Sequence, residues 1–327
     1  MAITLKEAKV SMADKVDQMV IDEFRRNSLL LEQLIFDDAV SPGTGGSTLT
    51  YGYTRLKTPG TAQFREINNE YTSQEAKREK HTVDLKIFGG GFELDRILAN
   101  TSGAIDEVDF QLKEKIKAAS NLFHYTVING DSAVDSKSFD GLDKALAGSS
   151  TELNKDSVID LSTSDAVDTN YKDFLDLLDE FLSELDGTPN MLMGNAKLMS
   201  KIRACARRAG YLTQAEDAFG KKVDSYNNIP LVDLGYYVDN TGTIPTVKIQ
   251  KRTISANETD GLTDLFAAGI NLGGFHGVTV KGDKIIKTYL PDLNAPGAVK
   301  KGEVEMVGAI ALKNSRSAGV LRNIKVR

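Results

Sequence analysis

The segment that decides the fold spans residues 41–95 and has the sequence SPGTGGSTLTYGYTRLKTPGTAQFREINNEYTSQEAKREKHTVDLKIFGGGFELD. It is rich in Thr, Tyr and Gly, and the alternation over residues 48–53 and 81–88 is typical of strands. A turn is expected at residues 58–61, Thr-Pro-Gly-Thr. The segment therefore predicts a long hairpin. Few of its residues are large aliphatics, so we expect it to lie on another surface, that of a second copy of the chain.

Two glycine-rich runs invite a nucleotide-binding interpretation. The run at residues 89–91 lacks the lysine and the Ser or Thr that complete a phosphate-binding loop, and Glu93 stands where a phosphate would bind. The run at residues 273–277 is followed by strand-like sequence instead of a helix. We predict no nucleotide site at either run, and a flexible joint at residues 89–91.

The N-terminal part predicts an amphipathic helix. Ser11 and Asp14 form a capping pattern, and apolar residues follow at helical spacing as far as Phe24. After a break near residues 27–28, a second apolar run begins at Leu29 and Leu30 and continues to residue 35. Such a helix packs on its own domain or lies across a neighbouring subunit, and the spacing leaves both alternatives open.

The remaining chain predicts a mixed α+β fold. The longest helix is expected over residues 104–128, where apolar residues recur every three or four positions, and it should end at Asn129-Gly130. Further helices are expected over residues 171–185 and 196–209. The polar residues 148–168 are the best candidate for a domain boundary. Strands are expected at residues 190–193, 231–234, 246–250, 265–270, 277–280, 285–290, 303–312 and 319–326.

Composition limits the function. The chain has 327 residues, enough for about two lobes, and a net charge of −6 with basic residues dispersed among acids. This charge argues against a dedicated nucleic-acid binder but is compatible with a container for DNA. Residues 1–17 lack the apolar core of a signal peptide, and no apolar run reaches the roughly 18 to 20 residues of a membrane span. We therefore expect a protein that works in a cytoplasm without a membrane partner.

No arrangement of reactive residues predicts catalysis. The three histidines, His81, His124 and His276, lie far apart in sequence, so no metal site is expected. The single cysteine, Cys205, lies among arginines that would lower its pKa, but no histidine is close in sequence to act as a base. We interpret Cys205 as a core or interface residue. We expect no catalytic, cofactor-binding or metal-binding residues, and hence a structural protein that is not an enzyme.

Three short sequences follow one another in an informative order. FDGL at residues 139–142 follows the longest helix, NMLMGN at 190–195 precedes a helix and then NIPLV at 228–232, and VGAIAL at 307–312 precedes VLRNI at 320–324. In this order they resemble the major capsid proteins of tailed bacteriophages with the Hong Kong 97-like (HK97-like) fold. The resemblance spans nearly the whole chain.

The resemblance implies an α+β HK97-like fold with four parts. They are an N-terminal arm at residues 1–40, an extended hairpin loop at 41–88, a peripheral domain at 89–145 and 280–327 containing the long spine helix, and an axial domain at 146–279. The implied function is a coat protein that assembles into pentamers and hexamers of an icosahedral phage head around double-stranded DNA, without sequence-specific binding. The implied location is the virion, with assembly in the host cytoplasm.

The resemblance also implies partners: further copies of the chain, a scaffolding protein, a portal and, as an optional partner, a decoration protein. Because the chain starts almost at the arm, we expect a separate scaffolding protein or a processed form. Some members cross-link a loop lysine to an asparagine of a neighbour. Lys57 and Asn294 would take these two roles in this chain, although no motif identifies them. The expected inter-subunit contacts are Phe24, Leu29 and Leu30 on the arm and Tyr51, Tyr53, Lys57, Phe64 and Tyr71 on the loop.

Two alternatives stay open at this point. The first keeps the fold and makes the chain the shell of an encapsulin-type compartment that encloses a cargo enzyme. The second is a two-lobed enzyme or ligand-binding protein that uses a polar cleft in the axial region. Assembly into a closed shell would exclude the enzyme or ligand-binding protein. The contents of the shell would distinguish an encapsulin-type compartment from a phage head.

Overall fold

The computed structural model describes residues 2–4, 28–40, 49–97, 107–210, 213–216, 222–239, 242–281 and 286–327. The described helices are α1 (Leu29–Gln33), α2 (Glu107–Asn129), α3 (Leu142–Leu146), α4 (Ser164–Ser183) and α5 (Ala196–Ala209), with a short 3-10 helix at Ser315–Ser317. The strands are β1 (Ala2–Thr4), β2 (Ile35–Val40), β3 (Thr50–Thr58), β4 (Lys77–Asp84), β5 (Lys86–Asp95), β6 (Glu152–Leu153), β7 (Ile159–Asp160), β8 (Met191–Gly194), β9 (Thr213–Glu216), β10 (Lys222–Tyr226), β11 (Ile229–Asp233), β12 (Tyr236–Asp239), β13 (Gly242–Pro245), β14 (Gln250–Ile254), β15 (Asn257–Ala268), β16 (Phe275–Val280), β17 (Ile286–Tyr289), β18 (Val299–Leu312) and β19 (Ala318–Lys325).

A six-stranded sheet carries the long helix. Its order is β1-β2-β16-β18-β17, and β5 also pairs with β18 in an antiparallel ladder of ten residue pairs. Helix α2 packs on one face, where Phe88 of β5 stacks on Phe123 at 5.5 Å between ring centroids. Leu112, Ile116 and Val127 are buried along the same stripe. The predicted long helix is confirmed, and its apolar face is the one that lies on the sheet.

A nine-stranded sheet is buried on both faces. Its order is β6-β19-β15-β8-β11-β10-β9, with β7 on β19 and β14 on β15. Along β8, Met191 and Met193 join the core shared with α2, whereas Leu192 joins the core formed with α4 and α5. This two-sided burial explains why β8 is continuously apolar instead of alternating.

Helix α5 forms as predicted. The Asn195 side chain accepts a hydrogen bond from the backbone N–H of Leu198 at 2.9 Å, and the helix ends at Gly210, which has φ of 78°. An asparagine N-cap satisfies a free N–H group at the helix start, and glycine adopts the left-handed conformation at the helix end without steric cost. These local signals are why the sequence located α5 to the residue.

Two expected strands have other bounds, and one polar segment contains regular structure. Residues 148–168 hold β6, β7 and the start of α4 at Ser164, which the Thr163 side chain caps, and a domain boundary in this segment stays a prediction. The strand expected at residues 246–250 begins only at Gln250, because Thr246 and Val247 are buried in a connection where the Thr246 hydroxyl donates to the Leu234 carbonyl at 3.2 Å. The strand expected at residues 81–88 is two strands in different sheets, β4 and β5.

The glycine run at residues 89–91 is not a joint. It lies in the middle of β5 and pairs with Glu303, Val304 and Glu305 of β18. A Cβ atom at Gly89 would lie 1.9 Å from the Val304 carbonyl oxygen, a distance no side chain tolerates. Glycine is therefore required at residue 89 by close backbone approach.

The N-terminal helix expected over residues 11–35 falls largely on residues outside the described ranges, and so does Phe24. Its described end forms α1, where the Ser28 hydroxyl accepts a hydrogen bond from the Leu31 N–H at 3.1 Å, and then β2. Residue 35 thus starts a strand, not a helical turn. The four-part domain division stays a prediction, although the two sheets share one core that includes Phe36, Phe266 and Val320.

A buried charge network ties α3 to the nine-stranded sheet. Arg252 donates two hydrogen bonds to Asp264, each 2.6 Å long, and Arg322 donates to Asp264 at 3.2 Å and to Glu152 at 2.9 Å. Burial alone would lower the pKa of Arg322, but the charges of Asp264, Asp143 and Glu152 hold this pKa above its ordinary value. The network fixes strands β6, β14, β15 and β19 relative to one another.

Among the described helices, none is long and apolar enough to span a lipid bilayer.

Candidate functional site

The hairpin formed by β3 and β4 is the most exposed part of the described chain. Among the described strands these two pair only with each other, from Thr50 opposite Asp84 to Thr58 opposite Lys77. Every residue from 56 to 80 is exposed. The large apolar side chains of Leu56, Phe64, Ile67 and Tyr71 are among them. An isolated two-stranded hairpin with exposed apolar side chains indicates a contact surface.

The turn of the hairpin lies later than the sequence indicated, because the chain does not reverse at residues 58–61. Pro59 has no N–H, so the regular ladder ends there, but the two arms run on, with the Gln63 side chain donating to the Thr72 carbonyl at 3.3 Å. The reversal occurs at residues 66–69, where the Asn69 N–H donates to the Glu66 carbonyl at 3.2 Å and Asn68 has φ of 69°. Asparagine tolerates this left-handed conformation better than most residues.

Three side chains on one face of the hairpin hold its base to the body. The Tyr51 hydroxyl donates to Asp37 at 2.7 Å, and the Tyr53 hydroxyl donates to the Leu312 carbonyl at 3.0 Å. Arg55 donates from Nε to the Lys313 carbonyl at 3.0 Å. The hairpin is therefore fixed at its base and free beyond residue 55.

The titratable groups at the base of the hairpin are largely shielded from solvent. Burial, followed by the hydrogen bond to Asp37, raises the pKa of Tyr51, and burial raises the pKa of Tyr53. Burial and the nearby Lys313 ammonium lower the pKa of His276 to about 4. Both phenols and the imidazole are therefore neutral at pH 7, so the anchoring hydroxyls remain hydrogen-bond donors.

The residues expected to contact a neighbour fall into two groups. Phe64 and Tyr71 are exposed at the tip, and Lys57 is exposed and pairs with Glu79 at 3.1 Å. By contrast, Leu30 and Tyr51 are buried within the protomer, and Leu29 and Tyr53 are half-buried. In this structure these four side chains face their own subunit, so a contact with a neighbour stays a prediction for all eight residues.

Sequence reasoning missed two exposed apolar residues of the hairpin. Leu56 and Ile67 are as exposed as the tip aromatics, and each is an aliphatic residue within a polar stretch. An aliphatic residue isolated in a polar stretch was the feature of the sequence that could have indicated these two exposed positions. The other half of the expected cross-link pair, Asn294, is exposed in the loop before β18.

The described residues offer little chemistry elsewhere. They contain no group of three or more His, Cys, Asp or Glu side chains that could hold a metal ion. Cys205 is buried, and burial raises the pKa of its thiol to about 11 although nearby Arg208 and Lys201 lower it. Burial thus outweighs the arginines that the sequence places beside this thiol, and Cys205 is a core residue.

Comparison with known proteins agrees with this architecture. The family model described as SU10 major capsid protein matches residues 32–229, more than half of the chain. No curated protein matches the chain in sequence. Among solved structures, the holo-SrpI encapsulin complex from Synechococcus elongatus PCC 7942 is similar with a TM-score of 0.57 and 13% identity, covering 85% of this chain and 83% of that chain.

A second similar structure comes from Mycobacterium phage Cain, with a TM-score of 0.51 and 12% identity over 86% of this chain and 87% of that chain. At these identities the two structures establish the fold alone, which is the HK97-like fold of phage capsids and encapsulins. The family match favours the phage capsid over the encapsulin compartment. The chain belongs to the SU10 major capsid protein family and is a shell-forming coat protein of a bacteriophage capsid.

Proposed function

We propose that copies of this chain form the pentamers and hexamers of an icosahedral head that encloses double-stranded DNA, and that the hairpin joins neighbouring copies. The exposed hairpin, residues 50–84, carries this proposal. Phe64 and Ile67 at its tip are almost wholly exposed in the protomer, and large apolar side chains in that state favour burial against a partner.

The role is structural, without catalysis, and it extends to other components of the head. A scaffolding protein guides the curvature during assembly in the host cytoplasm, a portal occupies one vertex, and a decoration protein is an optional addition. The net charge of −6 supports a wall that does not hold the packaged DNA tightly.

The experiment compares two variants of the hairpin tip. Phe64→Ser/Ile67→Ser removes the apolar side chains, and Phe64→Leu/Ile67→Val keeps them, so the second variant is the matched control. We expect both to fold, since neither side chain contributes to the described core. The serine variant should fail to form shells by electron microscopy, whereas the control should form them. Normal shells from the serine variant would contradict the role of the tip.

The contents of purified shells separate a phage head from an encapsulin-type compartment. Shells produced together with the genes next to this one should enclose double-stranded DNA, measured by absorbance at 260 nm after nuclease treatment of the exterior. A protein cargo without DNA would support the compartment instead. The family match favours DNA.

A further inference from the structure

A cavity lies at the C-terminal end of α2. The last turns of this helix, the start of β5, the loop of residues 130–139 and Tyr237 of β12 surround it. Its volume of about 710 Å³ lies within the roughly 300–1,000 Å³ of ligand pockets in proteins. We call this cavity the α2 pocket. None of its described lining residues belongs to the hairpin of residues 50–84, so the pocket is separate from the hairpin surface.

The interior of the α2 pocket is aromatic. Phe123 and Phe139 are buried, with their ring centroids 5.9 Å apart, and Phe88 stacks on Phe123. The rings of Tyr125 and Tyr237 lie next to each other, 5.3 Å between centroids. Aromatic side chains offer a large apolar area and contact a bound group from several sides. The interior therefore fits a large apolar side chain.

The rim of the pocket carries apolar surface out into the solvent. Ile87 is 61% exposed and Val134 is 87% exposed, and both line the pocket. Val134 lies in a loop whose other residues, from 131 to 138, are polar or small. Apolar side chains in this state favour burial against a partner. A ligand that filled only the interior would leave both in water, so a polypeptide segment that passes over the rim fits better than a small molecule.

Three lysines also line the pocket: Lys86, Lys137 and Lys248. Within the described residues none of them forms an ion pair. The Lys86 ammonium donates to the Ser136 carbonyl at 2.8 Å, and that of Lys248 lies 5.5 Å from the ring centroid of Tyr125. Because an ammonium has three N–H groups, both lysines keep donors for a carboxylate.

Two aspartates of the lining offset only part of this positive charge. Asp131 is already paired with Lys144, at 2.6 Å, and the Asp135 carboxylate accepts the backbone N–H of Lys137 at 2.9 Å. Three lysines against two aspartates leave a positive excess in a chain whose net charge is −6. A local positive site next to an apolar interior selects an acidic partner.

We propose that the α2 pocket binds a segment of a second head protein, in which one large apolar side chain is flanked by acidic residues. The apolar side chain enters the aromatic interior, and the carboxylates pair with the exposed Lys137 and Lys248. One anchor side chain in a pocket, bordered by polar contacts, is a common basis of recognition between proteins. This proposal rests on the proposed function, since it assigns the pocket to another component of the same head.

A tryptophan peptide tests the chemistry of the pocket. The chain contains no tryptophan, so the fluorescence of a peptide tryptophan reports binding without background. The probe is the synthetic peptide Asp-Glu-Trp-Leu-Asp-Glu, added to unassembled full-length subunits. Its emission should shift to shorter wavelength and saturate. The same peptide with Lys in place of each acidic residue should give no shift, and an equal shift would overturn the proposal.

Charge reversal locates the binding. Lys137→Glu/Lys248→Glu should weaken binding of the acidic peptide roughly tenfold or more, because two attractive pairs become repulsive. Lys117→Glu/Lys197→Glu makes the same change of net charge at exposed helix positions outside the lining and should bind as wild type does. Circular dichroism confirms that both variants fold. Equal binding by the two variants, or no binding by wild type, would overturn the proposal.

Photo-cross-linking identifies the occupant in the head itself and does not depend on the lysine variants. Val134→p-benzoylphenylalanine places a photoreactive group at the rim, in shells produced together with the genes next to this one. After illumination, mass spectrometry should find a cross-link to a segment of another protein that has a large apolar residue beside acidic ones. The same amino acid in place of Asp173, which is exposed on α4, is the control and should not cross-link to that segment.

The outcomes separate this inference from the proposed function. Shells whose residue 134 cross-links only to this chain, only to a basic segment or to nothing would refute the inference alone, since the shells themselves support the coat role. If wild type forms no shells even with its scaffolding partner, the proposed function fails, and the assignment of the pocket to a head protein fails with it.

Discussion

Replacing Asp264 with asparagine should destabilise the subunit, because this buried carboxylate pairs with two largely buried arginines. Its side chain is 6% exposed and that of Arg322 is 13% exposed. Asp264 accepts two hydrogen bonds from Arg252, one from Arg322 and one from the backbone N–H of Asn323 at 3.1 Å. Asparagine keeps the shape but removes the charge and turns one acceptor atom into a donor that faces a guanidinium.

The magnitude follows from what the two arginines retain. Removing one partner of a buried ion pair costs about 3–5 kcal/mol. Arg322 keeps its contacts with Glu152 and Asp143, and Arg252 is partly accessible to water, so the lower end applies, about 3 kcal/mol. At about 2.1 cal/mol/K of unfolding entropy per residue, a chain of this length should lose roughly 4 °C in Tm.

The assay is guanidinium unfolding of unassembled subunits followed by circular dichroism, with thermal unfolding as a second measure. Asp173→Asn is the matched control, since Asp173 is exposed and forms no ion pair within the described residues. It should change the free energy of unfolding by less than about 0.5 kcal/mol. If Asp264→Asn and Asp173→Asn had the same stability, the network would not contribute as argued.

Two further predictions concern the core. Gly89→Ala should lower the free energy of unfolding by about 2–3 kcal/mol, because its Cβ would collide with the Val304 carbonyl. Gly91→Ala should leave the free energy of unfolding unchanged or raise it slightly. Equal urea midpoints for the two variants would refute the close approach at residue 89. Burial lowers the pKa of His124 to about 4 from an ordinary 6.5. As the pH falls, the histidine of the unfolded chain therefore takes up a proton before that of the folded chain. The free energy of unfolding has its full value above pH 6.5 and decreases as the pH drops toward 4. His124→Phe should remove about 2.5 kcal/mol of that pH dependence, measured from unfolding midpoints at pH 7.5 and 4.5, and an unchanged slope would contradict it.

Local signals predicted the helices well. Apolar residues such as Leu112 and Phe123 recur at helical spacing along α2, and the caps Asn195 and Gly210 limit α5. Caps and amphipathic periods depend on residues within a few positions of one another, so they are visible in sequence. The same logic predicted β16 to β19, whose apolar residues alternate or run continuously.

Long-range pairing explains where prediction failed. Pro59-Gly60 has the composition of a turn, but the arms continue because Gln63 finds a partner at Thr72, and the chain reverses at Asn68 instead. The glycines at residues 89–91 have the composition of a joint, but they lie in a strand, and β18 approaches Gly89 too closely for a side chain. The local amino-acid composition indicates which backbone conformations are permitted, and tertiary contacts determine which of these conformations forms.

The sequence alone determined that the chain is an α+β coat protein with a projecting hairpin, because that information lies in the order of helices, strands and polar segments. Only the tertiary structure decided which hairpin residues anchor it and which are free. Tyr51 and Tyr53 have the same sequence character as Tyr71, but the first two reach Asp37 and the Leu312 carbonyl, and Tyr71 lies at the exposed tip. Burial depends on residues distant in sequence, and the fold alone brings them together.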